Sequence, residues 1–173
     1  TFSAPKSLSI LSLVGGDERL IQAFQESVYE TISEIEAFIS TRVTKNKQTS
    51  IETTGKGIFA TFVHDTSRNL DPQLHIHAIT MNLTEKDGKL YALSSDSRDG
   101  NGFMEMVYTH HTLFGTIQRN ILEKKVTALG YETRPTEKGL WEIKDVPVSL
   151  LGHFSSRSRD IRRAVGDSAT FAS

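Results

Sequence analysis

Gly57-Ile58-Phe59-Ala60-Thr61-Phe62-Val63-His64 and Gln73-Leu74-His75-Ile76-His77-Ala78 are the stretches on which the fold turns. The first is rich in β-branched and aromatic residues, which favour a pleated, half-buried surface, and the second alternates Leu74, Ile76 and Ala78 with polar residues. The connection Asp65-Thr66-Ser67-Arg68-Asn69-Leu70-Asp71-Pro72 is polar and ends on a proline, so it turns the chain back. Two strands paired antiparallel are predicted. Side chains alternate along a strand, so His75 and His77 share a face, roughly 6.5–7 Å apart along the backbone. Gln73, Ile79 and Met81 join them, and Leu74, Ile76, Ala78 and Thr80 take the other face. On the first strand Ile58, Ala60, Phe62 and His64 align. The apolar members are expected to pack along the strand's length while His64 falls beside the other two imidazoles at its end.

Three nitrogen donors within reach of one point suit a metal ion, at roughly 2.0–2.1 Å per bond. With no carboxylate in the set, such an ion keeps its positive charge and an open side, and acts as a Lewis acid. A phosphodiester, a carbonyl compound or carbon dioxide would all suit that chemistry. The ligands alone do not choose among them. Zinc, nickel, cobalt or manganese fit imidazole on intrinsic affinity.

Outward from this centre, Pro5 opens a short helix through Leu8, Leu11 and Val14, with Ser3 as its expected cap and Gly15-Gly16 as its end. Asp17 caps a long helix carrying Leu20, Phe24, Val28, Ile32, Ile35 and Ile39 at intervals of three or four. Residues 45–54 read as a loop or weak hairpin, and the second histidine strand is expected to run over 73–83. Asp87-Gly88 is a hairpin turn returning through 90–93. A Ser/Asp/Gly-rich loop over 94–102 precedes one long helix over 103–129, which Gly130 ends. Residues 131–134 and 140–143 form a last hairpin, and the tail from 146 is helical and basic. Helices and antiparallel strands in this order, without a βαβ rhythm, predict an α+β fold: an antiparallel sheet with flanking helices.

The 173 residues, 37% of them apolar, suffice for a single domain over 1–173. No apolar run approaches the roughly 18 residues of a membrane span, and Thr1-Phe2-Ser3-Ala4-Pro5-Lys6 is no secretory signal. The absence of cysteine excludes disulfides and thiolate metal sites, and fits a cytoplasmic setting. A net charge of −1 does not advertise a nucleic-acid binder, but the distribution is uneven. Residues 1–109 hold 10 Lys/Arg against 14 Asp/Glu, and residues 110–173 hold 10 against 7. The chain opens on what reads as the end of a strand and is expected to be truncated at its N-terminus.

Several stretches together resemble the TrwC/TraI-type conjugative relaxases of the histidine-hydrophobe-histidine endonuclease superfamily. They are Thr1-Phe2-Ser3-Ala4-Pro5-Lys6-Ser7, Val14-Gly15-Gly16-Asp17, His64-Asp65-Thr66-Ser67-Arg68, Pro72-Gln73-Leu74-His75-Ile76-His77-Ala78, Ala128-Leu129-Gly130-Tyr131-Glu132 and Phe154-Ser155-Ser156-Arg157-Ser158. The resemblance implies a palm-like two-layer sandwich, closed over DNA by helical fingers. It implies a bacterial, cytoplasmic enzyme that nicks single-stranded DNA at a plasmid origin of transfer. A tyrosine attacks the scissile phosphate and keeps it as a phosphotyrosine, so the reaction is transesterification. His64, His75 and His77 would ligate one divalent ion, magnesium or manganese in use. The family's tyrosines precede the Thr-Phe-Ser-Ala-Pro-Lys-Ser element, so the nucleophile is expected upstream of Thr1 and the chain alone inactive.

Arg68, His111, Arg119 and Lys6 are the expected DNA contacts. Arg119 keeps the donor fork suited to guanine or phosphate, and His111 stands where a familiar relative has glutamine, implying a different base preference. By analogy a helicase region follows in the parent protein, with conjugation-machinery proteins as further partners and no membrane insertion. Two other readings stay open: a non-catalytic single-stranded DNA-binding remnant, and a three-histidine hydrolase or lyase for a small molecule.

Overall fold

The computed structural model describes residues 1–96 and 100–165. Its centre is a three-stranded antiparallel sheet in the order β1 (Phe2–Ser3), β5 (Pro72–Thr80), β4 (Phe59–Thr66). Phe2 lies opposite Ile76 and Ser3 opposite His75. On the other side Phe62 faces His77, Val63 faces Ile76 and His64 faces His75, with a register shift between His64 and Thr66. The predicted antiparallel pair is therefore present. Its second strand stops at Thr80, short of 83, because the chain turns there and Asn82 Oδ1 accepts from the Leu93 amide at 3.0 Å.

Helices cover only one face of the sheet. On it pack α1 (Lys6–Leu13) and α2 (Glu18–Glu36), and α4 (His111–Ala128) lies on α2. Leu8, Leu20, Phe24, Val28, Leu74, Ile76, Leu122 and Val126 form the main core, closed by Trp141 and Ile143. Asp17 caps α2, its Oδ1 accepting from the Arg19 amide at 3.1 Å, as its position before the apolar repeat predicts. Ser3 does not cap α1. It belongs to β1, and Glu142 instead accepts from the Ser7 amide at 2.7 Å and the Lys6 amide at 3.3 Å.

The stretch read as a loop or weak hairpin is a full hairpin, β2 (Ser40–Lys45) with β3 (Gln48–Thr53). Asn46 and Lys47 turn it with φ of 51° and 62°, the paired positive values of a type I′ turn. A second such turn, at Asp87 and Gly88, joins β6 (Thr84–Lys86) to β7 (Lys89–Tyr91) as expected.

The single helix expected over 103–129 is two, α3 (Phe103–Thr109) and α4. His110 breaks it. The Met106 carbonyl accepts from both its amide and its Nδ1 at 2.9 Å, and the Tyr108 carbonyl accepts from His111 Nδ1 at 2.6 Å. Each imidazole thus donates to a carbonyl of the turn before it, and the His110 backbone, φ −102° and ψ 15°, leaves the helical region there. Gly130, φ +95°, follows the end of α4. The last hairpin, β8 (Thr133–Pro135) with β9 (Trp141–Ile143), leads to α5 (Val148–His153) and α6 (Ser156–Val165).

Candidate metal centre and nucleic-acid interface

The uncovered face of the sheet carries the three histidines. Strand alternation buries Leu74 and Ile76 completely and turns the residues between and after them, His75 and His77, outward. His64 reaches the same place because the hairpin register sets it opposite His75. The ring centroids form a nearly equilateral triangle with sides of 5.1, 5.0 and 5.1 Å. A bond of roughly 2.0–2.1 Å plus the half-width of the ring puts a ligated ion about 3 Å from each centroid. That is close to the triangle's own radius.

The rings are gathered but not closed. His64 and His75 stack at 22°, and among the described residues no group of three ligating side chains is already in coordination geometry. Closing on one ion would require the rings to turn, and the second torsion of imidazole is broad. Two second contacts orient them. The Gln73 carbonyl accepts from His75 Nδ1 at 2.9 Å, which commits that nitrogen as donor and leaves Nε2 as the free lone pair. His77 Nδ1 meets Thr1 Oγ1 at 2.9 Å. Desolvation, then the neighbouring His75 and His64, lower the His77 pKa and favour its neutral, ligand-competent form.

The rest of this face differs from expectation. Phe62 is 51% and Ile79 58% exposed, with Ile58 and Met81 equally open. These residues do not pack along the strand, because the helices sit on the opposite side.

His111 and Arg119 lie on one flank of α4, and Gly115 stands midway between them. His111, Val107 and Phe114 border a recess of about 180 Å³, and Arg119, Thr112 and Thr116 border one of about 320 Å³. Both recesses also touch Thr1, Phe2 and Gly115. A Cβ at Gly115 would meet nothing within 4 Å, so the helix surface where the two meet is open space. Burial lowers the Arg119 pKa, with Glu142 opposing, though a guanidinium stays charged in either case. Lys6 is half-buried at the head of α1, its Nζ donating to the Pro72 carbonyl at 3.0 Å. Arg68 is exposed in the loop after His64 and, among the described residues, pairs with neither Asp65 nor Asp71. The structure thus joins the three histidines and leads from Thr1 to His111 and Arg119, while Lys6 faces a separate cleft with Ser67. Thr1, Gly115 and Asp71 carry no recognisable signal in the sequence. Their places depend on pairings far apart along the chain.

The family model described as TrwC relaxase matches residues 1–172. The chain belongs to the TrwC relaxase family. It is 45% identical over 174 aligned positions to the multifunctional conjugation protein TraI of Escherichia coli K12, with all of this chain and 10% of TraI covered. Its fold matches the conjugative relaxase TrwC in complex with oriT DNA, in a metal-bound structure, with a TM-score of 0.88 and 31% identity. That match covers 99% of this chain and 58% of that TrwC chain. A metal-free TrwC–oriT DNA structure gives a TM-score of 0.87 over the same shares at 31% identity. The chain therefore spans about a tenth of TraI and somewhat over half of those TrwC chains. The α+β architecture expected from the strand and helix order is the architecture of this family.

Proposed function

We propose that this chain is the DNA- and metal-binding part of a conjugative relaxase, which nicks single-stranded DNA at a plasmid origin of transfer by transesterification to a tyrosine. The histidine triangle on the open face of the sheet carries the reading. His64, His75 and His77 would hold one divalent ion, magnesium or manganese in use, with zinc, nickel or cobalt also suited to the donors. When bound, it draws charge from a phosphodiester oxygen as negative charge develops there.

The protein's own groups do the remaining work. The Gln73 carbonyl and Thr1 Oγ1 engage two of the rings at their Nδ1 atoms, which leaves Nε2 of each for the ion. His111 and Arg119 border the recesses that begin at Thr1 and offer hydrogen bonds to base edges or phosphate. Arg68 and Lys6 add positive charge around the hairpin that carries the histidines. Of the four tyrosines, Tyr131 donates to Asp17 Oδ2 at 2.6 Å, and Tyr29, Tyr91 and Tyr108 sit on α2, β7 and α3. None is hydrogen-bonded to a histidine of the triangle, so the reading places the nucleophile outside these residues.

An enzyme for a small molecule encloses most of its substrate. The histidine face lies open, with Phe62 and Ile79 exposed beside it, which favours a polymer. The reading treats 1–173 as one relaxase domain of a cytoplasmic bacterial protein whose parent has a helicase region and partners in the conjugation machinery. No helix among the described residues is long and apolar enough to cross a membrane. The test is titration of a fluorescent 25-nucleotide single strand and the matching duplex, with manganese binding followed by calorimetry. Preference for the single strand, with manganese binding lost in His75→Ala and His77→Ala, supports the reading. Equal affinity for duplex, or unchanged manganese binding in both variants, overturns it.

A further inference from the structure

A cleft lies away from the recesses on α4, between the head of α1, the loop joining β4 to β5, and the start of α6. It measures about 460 Å³, and its polar walls are Lys6, Ser67, Asp71, Gln73, Arg157 and Ser158. We propose that this cleft holds one backbone phosphate of the single DNA strand, gripped by Lys6 and Arg157. The proposal rests on the DNA-binding reading and deepens it, since the basic tail otherwise reads as a solvated helix face.

The charge balance carries the argument. Asp71 is the acidic residue on the wall, and its carboxylate is already committed: Oδ2 accepts from the Ser156 amide at 2.8 Å and from Ser156 Oγ at 2.7 Å. Those bonds satisfy the open amides at the start of α6, where an aspartate is a favoured cap. The two cations are less committed. Lys6 Nζ uses one of its three donors on the Pro72 carbonyl; among the described residues no carboxylate lies within ion-pair distance of it, and Asp71 and Glu142 act on it only at longer range. Arg157 is exposed, and among the described residues its guanidinium has no carboxylate or hydrogen-bond partner. On the cleft's own wall two cations and one carboxylate leave a single positive charge, which matches one phosphodiester, with Glu142 acting on Lys6 from outside the cleft. Ser67 Oγ accepts from the Asn69 and Asp71 amides at 3.2 Å, so its own proton is free for a phosphate oxygen.

Position agrees with charge. Gln73 forms part of the cleft and shares a strand face with His75 two residues on, roughly 6.5–7 Å along the backbone. A strand bound at the histidines thus has a neighbouring phosphate within reach of the cleft. Asn69 Nδ2 donates to Asp160 Oδ2 at 2.9 Å, a second tie holding α6 against the loop, so the cleft is preformed.

The experiment uses the full chain, Lys6→Gln, Arg157→Gln, the double variant and Lys6→Arg. Affinity for the fluorescent 25-nucleotide strand is measured from 50 to 200 mM salt. The double variant is expected to bind three- to tenfold more weakly and to lose about 0.7 from the slope of log K against log salt, the contribution of one single-strand phosphate. A loss of about 1.4 would mean two separate phosphates and would overturn the shared grip. Lys6→Arg should keep the wild-type slope. Because Arg157 is exposed, its variant is a check free of folding effects. Unchanged affinity and slope in the double variant overturn the inference and leave the DNA reading standing. A wild-type chain that binds no single strand overturns both. Inorganic phosphate, titrated calorimetrically without DNA, separates the other source. If it binds through Lys6 and Arg157 while DNA binding is unaffected by their loss, the cleft serves a free anion and the assignment to DNA fails.

Discussion

Substitutions at alternate positions of β5 should separate stability from metal binding. Ile76 is fully buried in the main core, and His75 and His77 flank it on the open side. Ile76→Ala removes buried methyl groups and leaves a cavity, at about 2–5 kcal/mol. For a domain of this size each kcal/mol lowers Tm by roughly 2–4 °C, so a central value of about 3 kcal/mol means about 6–12 °C. His77→Ala takes away an exposed ring with one hydrogen bond, to Thr1, and should cost no more than about 1 kcal/mol. A divalent ion at 100 times its Kd stabilises the native state by about 2.7 kcal/mol if it binds only there. Melts with and without manganese should therefore cross over. Ile76→Ala starts low and rises with metal as the wild type does, while His77→Ala starts near wild type and does not move. The reasoning is refuted if Ile76→Ala loses the metal-dependent rise while still folded at the start of the melt, or if His77→Ala falls as far as Ile76→Ala.

Three further outcomes are expected. Tyr131→Phe removes the bond to Asp17 and should cost about 1–2 kcal/mol at pH 7 by urea unfolding. The Asp17 pKa is lowered by its bonds from Arg19 and then from Tyr131, so its contribution is complete above about pH 4 and lost as pH falls through the folded value. The gap between wild type and variant should accordingly narrow in acid, and a gap that widens would contradict the assignment. Glu142→Gln weakens the acceptor for the Ser7 and Lys6 amides and should cost about 1 kcal/mol in the same assay. It should also tighten single-strand binding at low salt, because Glu142 opposes the charges of Lys6 and Arg119. Ser27→Ala strips the acceptor from the buried Gln118 Nε2, at 2.8 Å, and should lower stability by about 1–3 kcal/mol; a neutral change would mean that the amide finds another partner.

What could be read in the sequence follows the range of the interactions. The histidine hairpin was legible because a period of two and a proline-ended turn are local facts. The Asp87-Gly88 turn was legible because glycine signals positive φ, whereas Asn46-Lys47 hides the same geometry in residues that rarely adopt it. The break between α3 and α4 was not, since apolar spacing runs through it and the histidines that cause it resemble any other polar residue. The Ser3 cap failed for a different reason: Glu142, 135 positions from Ser7, does the capping instead. At the site the gathering of His64, His75 and His77 was visible, yet Thr1 meets His77 across 76 positions and Ser156 meets Asp71 across 85. No local pattern encodes such pairs.

A net charge of −1 does not by itself favour a partner as anionic as DNA, but the ion pairs are unevenly placed. Lys125 holds Glu26 and Glu30, Glu52 is shared by Lys45 and Lys86, Lys56 holds Glu85, Lys144 holds Glu132, and Arg19 holds Asp17. These pairs engage six carboxylates and six cations, so they change where charge is exposed and not its sum. Among the described residues none of them involves Lys6, Arg68, Arg119 or Arg157. The cations assigned to DNA in the proposed reading are thus among those with no carboxylate at ion-pair distance, although Glu142 acts on Lys6 and Arg119 from farther away. At about 8 Å of screening in physiological salt, a strand on this face responds to nearby unpaired charges more than to the sum over the whole chain.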